Sequence, residues 1–152
     1  MDNDELIRRD LSVLWHPCTQ MKDHETLPPI PVRRAAGAYL EDFDGNRYLD
    51  AVSSWWVNLF GHCNPHINAA LHEQLDTLEH VLLAGFTHRP VVELSERLVR
   101  IAPPGLSRCF YADNGSSAVE VALKMSFHYW RNLGRSEKTR FLNLSNSYHG
   151  ET

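Results

Sequence analysis

The chain has 152 residues, 43% of them hydrophobic and 22% charged, and a net charge of -4 at neutral pH. That suffices for one domain with a core, and the sign is wrong for a nucleic-acid or anionic-membrane surface. No apolar run approaches the roughly 18 residues that span a bilayer, and the acidic start, Met1 to Glu5, is unlike a secretory signal, so a cytoplasmic protein is expected.

Residues 2–14 have the spacing of a short helix, with Leu6, Ile7, Leu11 and Leu14 on one side. After Trp15-His16-Pro17-Cys18 comes Leu27-Pro28-Pro29-Ile30-Pro31, whose prolines exclude helix and central strand and predict extended surface chain. Segments 38–43 and 47–52 flank Asp44-Gly45-Asn46, a hairpin signal because Asp-Gly supplies positive φ readily. Adjacent Trp55 and Trp56 follow it in Ser53-Ser54-Trp55-Trp56. On a strand they cannot share a face, so at least one must leave any single core, either to line a cleft or to pack in an interface.

Asn64-Pro65 then opens a helix carrying Ile67, Ala70, Leu71, Leu75 and Leu78. A second helix starts near Pro90, with Val91, Leu94, Leu98 and Ile101 on one face, and stops at Pro103-Pro104-Gly105. Residues 107–112 are expected as a buried strand, 118–133 as a helix with Val119, Ala122, Leu123, Ser126, Phe127 and Trp130 inward, and 139–144 as another strand. Strand, helix, strand predicts a right-handed βαβ unit, the opening of an α/β fold with a parallel sheet. Two strands cannot complete such a sheet, so the chain is expected to be truncated.

Chemistry concentrates in the turn Asp113-Asn114-Gly115-Ser116-Ser117. Between a strand end and a helix start it offers unpaired N–H groups, a positive dipole end, a glycine that permits close approach and two hydroxyls: an anion site of phosphate size. An ordinary capped helix start has the same composition. The loop is neither a Walker A nor a dinucleotide GxGxxG loop. Tyr148-His149-Gly150 falls at the other strand end, where open α/β sheets bind ligands; Tyr148 could stack on a flat cofactor or simply pack. Cys18, Cys63 and Cys109 are too scattered for a disulfide framework. His62, Cys63 and His66 lack a second ligand pair, so no metal is expected.

These stretches together resemble the class III (ω-type) pyridoxal-phosphate-dependent aminotransferases. The matching residues are Trp15-His16-Pro17, Ala38-Tyr39-Leu40 through Asp44-Gly45 to Tyr48-Leu49-Asp50, Ser53-Ser54-Trp55-Trp56, His80-Val81, Thr87-His88, Asp113 to Ser116 with Ala118-Val119-Glu120, and Tyr148-His149-Gly150. The resemblance implies a fold type I transferase, with residues 1–58 in the small domain and 59–152 opening the large cofactor-binding domain. It implies pyridoxal 5'-phosphate, its phosphate held by Gly115 and Ser116 and its ring against Tyr148, and a homodimer. Trp55 would line the substrate site together with Tyr148, and Trp56 would support that wall. The Trp-His-Pro and double-tryptophan stretches are similar to the branch that aminates 8-amino-7-oxononanoate with S-adenosylmethionine in biotin biosynthesis. Cys18 occupies a position where the family often has a substrate-touching tyrosine; it is smaller and lacks the phenol. The Schiff-base lysine of the family would lie beyond Thr152, and Lys22, Lys124 and Lys138 lack its context, so these 152 residues alone are expected to be inactive.

Overall fold

Helix α1 (Asn3–Val13) begins where the Asp2 carboxylate accepts the Glu5 N–H, with Asp4 and Glu5 favourably placed at the positive end of the helix dipole. Leu6, Ile7 and Leu11 are half-buried, whereas Leu14 already lies in the extended cap and is exposed. This is a computed structural model covering residues 1–152. It divides into two compact units, residues 1–80 and 81–152.

The first unit is organised by a three-stranded antiparallel meander, β1 (Val32–Ala36), β2 (Tyr39–Asp42) and β3 (Arg47–Leu49). Strand β1 was not foreseen, because it directly follows the proline-rich segment. The hairpin between β2 and β3 falls where Asp44-Gly45 predicts it, pairing Leu40 with Tyr48 and Glu41 with Arg47. Across the β1–β2 ladder, Arg34 donates two hydrogen bonds to the Glu41 carboxylate, at 2.8 and 2.7 Å.

Asp42 is the one buried residue of the chain, and it is charged. Its carboxylate accepts the Asp44 and Asn46 N–H groups, the side-chain amides of Asn3 and Asn46, and the Tyr48 hydroxyl. Burial by itself would raise its pKa. The bonds from Asn46, Tyr48 and Asn3 outweigh that and hold the carboxyl well below the usual range. The same Asn3 accepts the Phe43 N–H, so α1 is tied to the hairpin through both atoms of one amide.

Beyond β3, residues Ser53–Trp56 form a single turn, α2, of opposite hand to an ordinary helix. Their φ values run from 47° to 68°, and Ser54 (47°, 56°) and Trp55 (67°, 43°) sit fully in the left-handed region. For L-residues this costs roughly 1–2 kcal/mol each. Helix α3 (Pro65–Leu75) follows, capped by the Asn64 side chain, which accepts from His66 and Ile67 N–H, with Pro65 at the first helical position.

The second unit holds α4 (Arg89–Ile101) and α5 (Gly115–Asn132). The Pro103-Pro104-Gly105 stop is as expected, with the Leu106 N–H bonded to Pro103 O and Gly105 at φ 95°. Helix α5 ends in a Schellman motif: Gly134, at φ 74°, donates to Arg131 O, and Arg135 donates to Trp130 O.

Two expectations need correction here. Residues 107–112 and 139–144 are not strands. A strand exists by its ladder, and neither segment finds a backbone partner among these residues, so the parallel βαβ pairing is not formed. The α4 face is also different. Val91, Ser95 and Val99 are half-buried, whereas Leu94 and Ile101 are exposed. Tyr111 explains the choice, because its hydroxyl meets Ser95 Oγ at 2.8 Å and draws residues 107–111 over that face. On α5, Leu123, Phe127 and Trp130 are half-buried as expected and Val121 joins them, whereas Val119, Ala122 and Ser126 are exposed.

Candidate active site

Helix α5 starts abruptly. Asn114 is extended (φ -152°, ψ 171°), and its side-chain oxygen accepts the Ser117 N–H at 2.8 Å and the Ser116 hydroxyl at 2.8 Å. The cap therefore consumes one of the free amides of the first turn. The N–H groups of Gly115 and Ser116 keep no intrahelical acceptor. Capping and anion binding are thus compatible readings of the same turn: Asn114 does the first and leaves donors for the second.

What closes the turn comes from residues 144–152. A tight turn there is fixed by the Ser147 N–H bonded to Leu144 O, with Asn146 at φ 62°. The chain then runs back to α5. His149 Nε2 lies 3.2 Å from Glu120 Oε1, and the Thr152 and Ser116 hydroxyls are hydrogen-bonded. Gly150, at φ 116°, lies so close that a Cβ there would be 2.1 Å from Ser116 Cβ. Tyr148, two residues earlier, is 79% exposed, its ring free to meet a ligand. Gly115, Ser116 and the 148–150 segment, singled out separately in the sequence, are one locality in the fold. Its two orphan amides, its hydroxyls and the side-chain-free approach at Gly150 fit a phosphate group such as the one on pyridoxal phosphate.

In the first unit, Trp55 and Trp56 project from the left-handed turn and are 68% and 76% exposed. Their rings pack edge to face, with centroids 5.8 Å apart. The strand geometry assumed for them does not hold, although both do leave the core. The turn is held from outside by Asp50. Its Oδ1 accepts the Ser54 N–H at 2.9 Å, and its Oδ2 accepts the Ser54 hydroxyl at 2.8 Å. Oδ2 also meets His62 Nε2 at 2.7 Å. The bonds from Ser54 first, then the one from His62, bring the Asp50 pKa down to about 2. An ionised carboxylate only accepts, so His62 Nε2 carries the proton.

His62 reaches Asp50 because its backbone pairs with Gly37, N–H to carbonyl in both directions, at 2.8 and 3.1 Å. That pairing needs two glycines face to face, since a Cβ on Gly61 would stand 3.0 Å from Gly37 Cα. The sequence reading missed this Asp50–Ser54–His62 group. Its only trace was the run Tyr48-Leu49-Asp50 before the tryptophans and Gly61-His62 after them. His62 belongs to this group, and no set of three or more metal-ligating side chains converges anywhere in the chain.

Cys18 is exposed at φ 53°, in the turn after Pro17. Its segment is anchored by His16, whose Nε2 is 2.5 Å from Asp10 Oδ2 of α1, while Trp15 stays 87% exposed. Among the lysines, Lys138 stacks its ammonium 3.6 Å from the Trp130 ring centroid.

No helix of the chain is long and apolar enough to cross a membrane. Residues 20–152 match the family model for aminotransferase class III. The chain is 55% identical, over 98% of its length, to the adenosylmethionine-8-amino-7-oxononanoate aminotransferase of Helicobacter pylori, of which it covers 34%. The enzyme of the same name from Geobacter sulfurreducens is 47% identical over 99% of the chain, which covers 33% of it. The chain thus spans about a third of the length of the curated relatives it matches. The crystal structure of the Methanocaldococcus jannaschii enzyme of that name superposes with a TM-score of 0.93 at 40% identity, over 99% of this chain and 34% of that one. The ω-transaminase of Pseudomonas jessenii in complex with PMP gives 0.88 at 32%, over 97% and 33%. With a family match over residues 20–152, the chain belongs to the class III aminotransferases, the family defined by its use of pyridoxal phosphate.

Proposed function

We propose that these residues serve an aminotransferase that converts 8-amino-7-oxononanoate to 7,8-diaminononanoate with S-adenosylmethionine as amino donor. The cradle formed by Gly115, Ser116 and the close approach of Gly150 carries the cofactor half of this reading. The activity named for the relatives, at up to 55% identity, supports the substrate half.

Bound pyridoxal phosphate would supply an electron sink through which an amino group passes between two substrates. The chain's own part is binding and orientation. The Gly115 and Ser116 amides, at the positive end of an 18-residue helix, would hold the phosphate dianion. Tyr148 would lie against the ring with its hydroxyl toward the substrate. Trp55 offers an apolar wall to the elongated amino-oxo acid, Trp56 backs that wall, and Cys18 leaves room where a phenol would stand. None of Lys22, Lys124 and Lys138 is assigned to the cofactor's aldehyde, so the 152 residues by themselves bind phosphate without turning over substrate. The working enzyme is a homodimer on this reading.

The likeness to ω-transaminases favours a second reading, a class III enzyme with another amine or semialdehyde substrate. An exposed tryptophan pair suits an apolar chain better than a second carboxylate. An amino-donor assay on the full-length protein separates the two. Turnover of 8-amino-7-oxononanoate with S-adenosylmethionine is expected, and turnover with glutamate but not with that donor would sink the first reading.

A further inference from the structure

We propose that Asp50 is a positioning residue for substrate specificity: its carboxylate, backed by His62, clamps Ser54 in the left-handed region and so sets the direction in which Trp55 and Trp56 leave the chain.

Nothing inside the turn accounts for its hand. Serine and tryptophan both avoid positive φ, and no glycine stands between Val52 and Val57. The backbone bonds inside it, Trp56 N–H to Val52 O and Val57 N–H to Ser53 O, are ones a right-handed turn would make equally well. Burial does not impose it either, because both indoles are mostly exposed and stack on each other. The external restraint is Asp50. Both its oxygens are engaged, one by the Ser54 amide and the other by the Ser54 hydroxyl and His62.

Asp50 is itself fixed at both ends. Its N–H bonds to Ala38 O at 2.9 Å, and its carboxylate is buttressed by a histidine whose backbone is locked to Gly37. The restraint therefore runs from the β-meander through one carboxylate to Ser54, next to the first tryptophan. Rotating Ser54 back to negative φ would break two hydrogen bonds and swing both rings away. The role in specificity rests on the reading of Trp55 as substrate wall; the clamp itself does not.

The test uses the full-length protein and a glycine rescue. The edge-to-face indole pair should give a coupled band in ultraviolet circular dichroism, identified as the band lost in Trp56→Phe. Asp50→Asn should lose that band, and His62→Gln should weaken it. Asp50→Asn with Ser54→Gly should regain it, because glycine enters the left-handed region without a clamp. A carboxylate that merely stabilised the fold would not be rescued at position 54. Should Asp50→Asn fail to fold, Ser54→Ala, which removes only the hydroxyl bond, should still reduce the band, and an unchanged band there would overturn the clamp. So would a band retained in Asp50→Asn, or not regained in the folded double variant. In turnover, Asp50→Asn should raise KM for the apolar acceptor on the order of tenfold while kcat stays close to that of the parent, as should Trp55→Ala. An unmoved KM in Trp55→Ala, with the band lost in Asp50→Asn, would discard the wall and keep the clamp.

Discussion

Gly150 has no room for a side chain. Its backbone lies against Ser116 on the first turn of α5, and its φ of 116° is one that L-residues rarely adopt. Gly150→Ala should therefore push the 148–150 segment off the helix start and open the cradle. Affinity for pyridoxal phosphate in the full-length protein should fall at least about tenfold, the equivalent of about 1.4 kcal/mol, with helical circular dichroism unchanged. Fluorescence titration with the cofactor checks this, and an unaltered affinity would place the phosphate elsewhere. The sequence offered Gly150 only as part of Tyr148-His149-Gly150 at an expected strand end. It could not show what the glycine must avoid, because Ser116 is 34 residues away and only the fold makes them neighbours. The helix start at Asn114 was legible for the opposite reason, since helix capping is decided within four residues.

At the scale of elements, local signals carried the helices and the hairpin. Asn64-Pro65 and Pro103-Pro104-Gly105 act where the sequence puts them, because a cap is a contact between near neighbours. Turn α2 was illegible, since its hand contradicts the preference of every residue in it and is imposed by Asp50. That restraint has a pH signature. The folded-state pKa of Asp50, about 2, lies below its ordinary 3.8. The carboxylate bonds therefore stabilise the turn fully above the ordinary value and are lost as pH falls through the folded one. The coupled indole signal of Trp55 and Trp56 should hold down to about pH 4 and decline toward about pH 2. A decline complete well above that range would take control of the turn away from the Asp50 carboxylate.

For the whole molecule the decisive observation is what is absent from its interior. No hydrophobic side chain of these 152 residues is buried, while Phe60, Phe86, Phe110, Leu142 and Leu144 are among many that stand exposed. Marginal stability is the difference between large burial and entropy terms, and without a buried apolar core the first term is small. The 152-residue chain alone should bind a hydrophobic dye strongly and unfold over a broad range. Calorimetry and dye fluorescence test this, and a sharp two-state transition from a soluble monomer would contradict it. The missing ladders at residues 107–112 and 139–144 have the same origin, since apolar segments of strand composition without partners form no sheet.

The sequence by itself determined the helix ends, the Asp-Gly hairpin, the turn from which α5 starts and, through motifs spread along the chain, the family. Each of these depends on residues within a turn or two of one another, or on a pattern readable in order. Only the tertiary structure decided that Gly150 closes the Gly115–Ser116 cradle, that Asp42 rather than an apolar residue is the buried centre of the hairpin, and that Trp55 and Trp56 sit on a left-handed turn. The reason is common to all three. Hydrogen bonds and close approaches between distant residues override local preference, and their partners are fixed by the fold rather than by spacing along the chain.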